Sequence, residues 1–473
     1  MADLGLIRET ACAVVDKLKS GEVTPLDLLD ALEARVKAVD NKVNALPTLC
    51  FDRAREHAKA LMQKPAAERG LLAGLPVPIK DLTDVAGVLT THGSPIYRDH
   101  IPDTSDLLVT HLEANGGVVY AKSNTPEFGA GANTFNEVFG ATRNPYDTSR
   151  SAAGSSGGAA VALATGTAWL AHGSDLGGSL RNPASFCGIV GLRPSVGRVA
   201  HTPKFAVDNT TGVQGPMARN VEDLALMLDA MSGDDARDPL SLPAPRSSFL
   251  SAARSPAKPK RVAYSADFGI TPVDPEVAAI TRKAAQRFAE AGAIVEEAHP
   301  DLSEAHECFH VLRALSFAIS KTELLRTRRD QLKPEVIWNI EAGLKLTVDQ
   351  IARAQAQRLA MTERTLTFFE TYDLLLSPAT IVAPFPVENR YVKECGGKTF
   401  GNYIEWLAIA YAITLTCCPA LSLPCGFTAS GLPVGLQIVS APRAEARLLA
   451  GAKVLEDILG VPTGPIDPRP PTA

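Results

Sequence analysis

The chain has 473 residues, 45% of them apolar and 21% charged, and a formal net charge of −5. That composition supplies a sizeable core and, at roughly 150 residues per domain, room for about two or three domains. The mild acidic excess gives no sign of the basic surface that nucleic acids or anionic membranes attract, and the opening MADLGLIRETACAVVDKLKSGE lacks the basic segment and unbroken apolar run of a signal peptide.

Thr24-Pro25 marks the first strong helix. Thr24 can cap it, Pro25 suits its first position and Asp27 completes the box, while Leu28, Leu29, Leu32, Val36 and Val39 form an apolar stripe at helical spacing. Residues 1–65 therefore read as a helical region packed on a core, without chemistry of its own. From about residue 70, LPVPIKD (75–81) and GGVVYAKSN (116–124) read as short apolar strands ending in polar residues. GGAAVALATG (157–166) reads as a small-residue buried helix and AWLAHGSD (168–175) as another strand. RVAYS (261–265), a helix over 274–292 and IVEEA (294–298) continue the alternation. Segments 303–330 and 348–372 read as helices, YDLLLSP (372–378) and LPVGLQIVS (432–440) as strands. Strands alternating with helices predict an α/β fold with a mixed, largely parallel central sheet covered by helices on both faces. The Pro- and Ser-rich stretch 240–260 is the best linker candidate, although the alternation runs on beyond it. Residues 463–473 form a Pro-rich tail expected to be extended or disordered.

WLAIAYAITLTCCPALSL (406–423) is long enough to span a membrane. Its Thr414, Thr416 and Pro419, and the turn-like LPCG at its end, fit a buried helix running into a buried strand better, so the chain reads as soluble. The eight cysteines make no CxxC pair or Cys/His spacing of a zinc site. Reduced, mostly buried thiols and a cytoplasmic location are the expectation.

Three stretches carry candidate chemistry. In GSDLGGS (173–179), Ser179 follows a tight glycine turn whose N–H groups can converge on an anion; taken alone, a structural turn with Ser179 capping a helix is the stronger reading. In SAAGSSGGAA (151–160), GSSGG fits a nucleophile elbow on Ser156, but TSRSAA (148–153) is not the hydrophobic strand that an elbow follows. Lys80 ends an apolar strand, where burial would lower its pKa and make it a usable base; the competing reading is a surface lysine paired with Asp81. None of the nine histidines stands where a triad is suggested, and His172, just before the glycine turn, reads as packing. A lysine-based serine hydrolase needs no histidine.

Lys80, the pair Ser155–Ser156 and GSDLGGS together resemble the amidase signature family. The resemblance covers roughly residues 20–460 and is densest in TRNPYDTSRSAAGSSGGAAVALATG (142–166) and GSDLGGSLRNPASFCGIVGLRPS (173–195). The separations of 75 and 24 positions (80 to 155 and 155 to 179) agree with the family pattern. The resemblance implies an α/β/α domain over 66–462 with a helical excursion at about 300–370. It also implies a Ser–cis-Ser–Lys triad, in which Ser179 attacks the amide carbonyl and neutral Lys80 takes the proton through Ser155, at a cis peptide after Gly154. The N–H groups of Leu176, Gly177, Gly178 and Ser179 would hold the oxyanion. Ser156, Asp175 and Arg181 would support the site, and Asp81 would orient Lys80. Ala152-Ala153 departs from the Pro-Gly of most relatives, while Gly154 is kept.

The implied activity is cleavage of the C–N bond of a small-molecule linear carboxamide or hydrazide, with no metal, other cofactor, nucleic acid or membrane involved. FGNYIEWLAIAYAITLTCCPALSLP (400–424) is similar to free-standing bacterial members acting on aryl amides, hydrazides or cyclic nylon-type oligomers. Phe128, Asn133, Phe135, Tyr403 and Trp406 are the acyl-pocket candidates, with Cys308 a further one; each competes with a plain core role. The alternatives are a glutaminase subunit of a tRNA-dependent amidotransferase, an α/β-hydrolase-type esterase using Ser156, and an inactive scaffold. A scaffold predicts loss of a triad residue, and all three are present. Family members commonly dimerise, and no motif decides whether this chain forms a homodimer.

Overall fold

A computed structural model of the protein describes residues 5–203, 206 and 209–471. The ends of the N-terminal region and of the Pro-rich tail, residues 1–4 and 472–473, lie outside them. Three strands, β1 (Thr48–Leu49), β2 (Pro76–Lys80) and β3 (Val118–Ser123), form a small sheet in the order β1-β3-β2. Eight more form the main sheet: β4 (Leu170–Asp175), β5 (Val190–Arg193), β6 (Val213–Ala218), β7 (Arg261–Tyr264), β8 (Ile294–Glu297), β9 (Leu374–Pro378), β10 (Ala420–Phe427) and β11 (Pro433–Val439). Their order is β8-β7-β9-β11-β10-β5-β6-β4. The small sheet brings β2 alongside edge strand β4, where the Lys80 N–H donates to His172 Nδ1 at 3.3 Å.

The α/β class and mixed sheet follow the sequence reading, but the strand directions do not. Within the main sheet only the β7–β8 and β7–β9 pairs are parallel; the other five pairings are antiparallel. Strand–helix alternation identifies the elements, whereas direction depends on which strand each one lands beside. β11 lands between β9 and β10 and runs against both.

Helix α1 (Ala11–Ser20) is anchored on the core by its first N–H groups, those of Ala11 and Cys12, which donate to the Asp223 carboxylate at 2.8 and 2.9 Å. Helix α2 (Pro25–Val43) begins as its sequence demands: the Asp27 N–H donates to Thr24 Oγ1 and the Thr24 N–H to Asp27 Oδ2. Its apolar stripe is buried. Helix α3 (Gly157–Thr165) is buried on every side, which accounts for its run of Gly and Ala. The short helix α4 (Arg181–Cys187) follows the glycine turn. Helices α5 (Ala305–Arg328), α6 (Pro334–Leu344) and α7 (Val348–Phe368) occupy the 300–370 region. The apolar 406–423 stretch is a buried helix, α8 (Ala408–Leu415), running into β10. Among the described residues no helix is long and apolar enough to cross a membrane. All eight cysteines are unpaired. The tail is extended and tied down: Ile466 N–H donates to Ala164 O at 2.9 Å and Arg35 Nη1 meets Asp467 at 2.7 Å.

Candidate active site

Lys80 closes β2 fully buried, with its ammonium nitrogen turned toward three hydroxyls: Ser155 Oγ at 2.7 Å, Ser156 Oγ at 2.9 Å and Ser174 Oγ at 3.0 Å. No carboxylate pairs with it among the described residues, and burial lowers its pKa to about 7, with distant Asp175 opposing the shift. The three hydroxyls differ in what else they do. Ser156 accepts from the Ser174 N–H and donates to Ser174 O, both at 3.3 Å, and is sealed from solvent. Its proton is therefore engaged away from the lysine. Ser155 makes the shortest contact and opens onto a cavity. It follows a cis peptide, Gly154–Ser155, and Ala153 before it has φ 56°. That is left-handed backbone that favours glycine, so the Ala152-Ala153 departure keeps the glycine-type conformation without the glycine.

The segment carrying Ser179 is organised by one carboxylate. Asp175, at the end of β4, accepts from the N–H groups of Gly178 (2.9 Å) and Leu180 (3.1 Å) and from Arg181 Nε and Nη2 (both 3.0 Å), and pairs with Arg193 at 3.3 Å. Burial pushes its pKa up, but the two guanidinium groups overcome that and hold it well below the usual carboxylate range. Arg181 extends the clamp to Ala410 O on α8 and Gln437 Oε1 on β11. The turn itself needs glycine: Gly178 has φ 110°, and a Cβ on Gly177 would lie 2.9 Å from Phe309 Cζ. The Ser156 N–H donates to Ser179 O at 3.2 Å, fixing the two serine segments to each other. Of the four expected oxyanion donors, Gly178 is withdrawn, since its N–H is taken by Asp175. Those of Leu176, Gly177 and Ser179 have no acceptor among the described residues.

His172 and Asp81 sit beside this site but serve it differently. His172 accepts the Lys80 N–H on Nδ1, so its proton is on Nε2 and donates to Gln214 Oε1 at 2.9 Å. Burial lowers its pKa to about 3. A neutral ring with both nitrogens occupied cannot act as a base for Ser179. Asp81 does not orient the Lys80 side chain: it accepts from Thr91 N–H and Oγ1 and pairs with Lys122 at 3.4 Å. Asp81 follows the last residue of β2, where the chain turns, and its carboxylate is taken up by these partners instead.

Ser155, Ser174 and Ser179 share a cavity of about 210 Å³, walled also by Leu82, Phe128, Leu176, Arg313 and Phe317. A smaller niche on the other side of Ser179 is lined by Gly154, Gly177, Phe309, Arg313 and Tyr403. Among the described residues the one cluster of metal-ligand type, Asp84, His92 and His100, contains no residue of this site.

The amidase family model matches residues 27–449. The chain belongs to the amidase signature family. It is an amide-hydrolysing enzyme, 36% identical over 456 residues to an acylamidase of Rhodococcus erythropolis, covering 95% of each chain. It is also 34% identical to a glutamyl-tRNA(Gln) amidotransferase subunit of Moorella thermoacetica, over 94% of this chain and 96% of that one. Among solved structures it is similar to a bacterial aryl acylamidase of the same family, with a TM-score of 0.89 at 28% identity, covering 95% and 96% of the two chains.

Within this amidase the pocket candidates separate. Phe128 lines the main cavity and Tyr403 the niche. Asn133 lines neither, because its amide donates to Val387 O and Asn389 O and accepts from Ser151. Phe135 faces a different hollow, between Lys333 and Arg390. Trp406 is buried edge-on against Phe385, and Cys308 Sγ donates to Ala354 O between α5 and α7. Sequence reasoning missed Ser174, although it lies within GSDLGGS directly beside Asp175. It also missed Arg313 and Phe317, which nothing in a helical pattern distinguishes from ordinary surface and core positions.

Proposed function

We propose that this amidase hydrolyses small-molecule carboxamides through an acyl-enzyme on Ser179, with Lys80 as the base and Ser155 as the proton relay. The observation that carries this reading is the 2.7 Å contact from a buried, carboxylate-free Lys80 to Ser155, at the wall of the cavity that Ser179 shares. Near neutral pH about half of a group with a pKa of 7 is an amine, whose lone pair can take the Ser155 proton as Ser155 takes that of Ser179. The Ser179 oxygen then bonds to the carbonyl carbon, and the negative charge moves onto the carbonyl oxygen, facing the N–H groups of Leu176, Gly177 and Ser179. Ser155 returns a proton to the nitrogen, the C–N bond breaks, and the amine leaves. Water, deprotonated by the same Lys80–Ser155 pair, hydrolyses the acyl ester and restores Ser179.

The acylamidase and aryl acylamidase likenesses support acyl amides of aryl amines as substrates, with hydrazides as related ones. The test is hydrolysis of a panel of amides, esters and hydrazides by the wild type, Ser179→Ala and Ser156→Ala. Loss of turnover in Ser179→Ala is expected; full activity there with loss in Ser156→Ala would transfer the nucleophile to Ser156. The amidotransferase relatives support a second reading, a glutaminase working with a partner. Glutamine hydrolysis that appears only on adding the other components of an amidotransferase, with inert aryl amides, would favour it.

A further inference from the structure

Arg313, on α5, is only 8% exposed and is the one charged residue lining both the main cavity and the niche beside Ser179. Its surroundings hold the guanidinium in place without neutralising it. Nε donates to Asn339 Oδ1 at 3.2 Å and Nη2 to Tyr403 Oη at 2.7 Å, both uncharged, while the Phe317 ring lies 4.8 Å beneath. Asn339 also donates to Tyr403 Oη at 2.6 Å. The tyrosine oxygen thus accepts twice, and its own proton has no acceptor among the described residues. Among those residues no carboxylate pairs with Arg313, and Nη1 has no hydrogen-bond acceptor. The two carboxylates on the cavity wall are engaged elsewhere: Asp175 by Arg181 and Arg193, Asp106 by the N–H groups of Leu108 and Thr202. A buried charge is costly unless something pairs with it, and here the open side of that charge is the cavity where acyl transfer takes place.

We propose that Arg313 is an anion subsite of the amidase, receiving a carboxylate carried by the amide substrate. The inference rests on the reading of Ser179 as nucleophile and narrows its substrates to amides bearing a free carboxylate near the scissile bond. A guanidinium fork fixed by two neutral partners matches a carboxylate in two parallel hydrogen bonds. Such a substrate supplies the counter-charge that no described carboxylate gives Arg313.

The experiment compares kcat/KM for matched anilides in two series. In one, the monoanilide of a dicarboxylic acid is set against its methyl ester. In the other, a carboxylated aniline is set against its methyl ester with the same acyl group. Wild type, Arg313→Lys and Arg313→Gln are measured. In wild type the charged member of at least one pair should be preferred by about 10- to 100-fold. The preference should collapse toward unity in Arg313→Gln and be partly kept in Arg313→Lys. Reading a ratio separates lost recognition from general damage, which lowers both members together. If Arg313→Gln does not fold, competitive inhibition of wild type by the dicarboxylic acid and its monomethyl ester, but not by the dimethyl ester, carries the test. A wild-type ratio near or below one in both series, or an unchanged ratio in Arg313→Gln, overturns the proposal. Failure of the nucleophile reading shows separately, as Ser179→Ala that still hydrolyses the neutral esters' anilide bond.

Discussion

Ser174→Asp puts a carboxylate where a hydroxyl now lies 3.0 Å from Lys80 Nζ. Among the described residues Lys80 has no close negative charge, and the opposing charge acting on it is that of Asp175, already committed to two arginines. Two unit charges about 4 Å apart attract by about 4 kcal/mol at an effective dielectric of about 20, equivalent to about three pKa units. Lys80 would move from about 7 to about 10 on that scale. Its neutral fraction at neutral pH would fall from about one half to about one in a thousand, which is an activity loss of about 500-fold. The assay is the pH dependence of kcat/KM on a neutral anilide. The acid limb should shift from near neutrality toward alkaline pH, with much of the activity recovered there. Ser174→Asn, similar in shape but uncharged, should keep the wild-type limb. An unmoved limb in Ser174→Asp, with the protein folded, would remove Lys80 from the role of base.

Lys80→Met should be inactive yet more resistant to urea at neutral pH, by about 1–4 kcal/mol, because a buried unpaired amine is replaced by an apolar chain. Since the folded pKa of Lys80 is about 7, below the ordinary 10.5, the unfolded chain binds the extra proton between those values. Wild-type stability therefore rises with pH across that window, and the gap to Lys80→Met should close; a gap independent of pH would contradict the depressed pKa. Gly177→Ala should lower kcat/KM by at least about 10-fold, since its Cβ meets Phe309, whose ring is held 4.2 Å from Tyr411 in a parallel stack. Recovery in the double variant with Phe309→Leu is the check. Asp175→Asn leaves two buried guanidinium groups without their shared counter-charge and should cost about 3–5 kcal/mol in thermal or urea unfolding. A cost under about 1 kcal/mol would mean that the clamp does not hold the turn.

Much of the site was legible because its signals are local or lie at fixed separations. The Thr24–Asp27 box specifies its own helix start, and the buried Gly/Ala run of α3 could hardly be anything but an interior helix. Lys80, Ser155 and Ser179 were found by residue type, spacing and resemblance, and the structure places Lys80 against Ser155 and gives Ser155 and Ser179 a common cavity. The remainder depended on distant chain segments. Asp81 looked like a partner for Lys80 because it is adjacent, yet Lys122 and Thr91 take it where the chain turns after β2. Asn133, Phe135 and Trp406 have the composition of a pocket, but each is drawn elsewhere by backbone carbonyls, cations or aromatic edges.

What the sequence determined by itself is the chemistry available: a lysine at the end of an apolar strand, two serine-bearing glycine turns and a mixed α/β core to carry them. The tertiary structure decided which groups are buried together and which remain unpaired. Packing β2 against β4 buries Lys80 away from water, and packing α5 over the cavity leaves both Lys80 and Arg313, among the described residues, with neutral hydrogen-bond partners alone. Desolvation and charge pairing depend on everything that surrounds a group, and most of those surroundings come from parts of the chain far away in sequence.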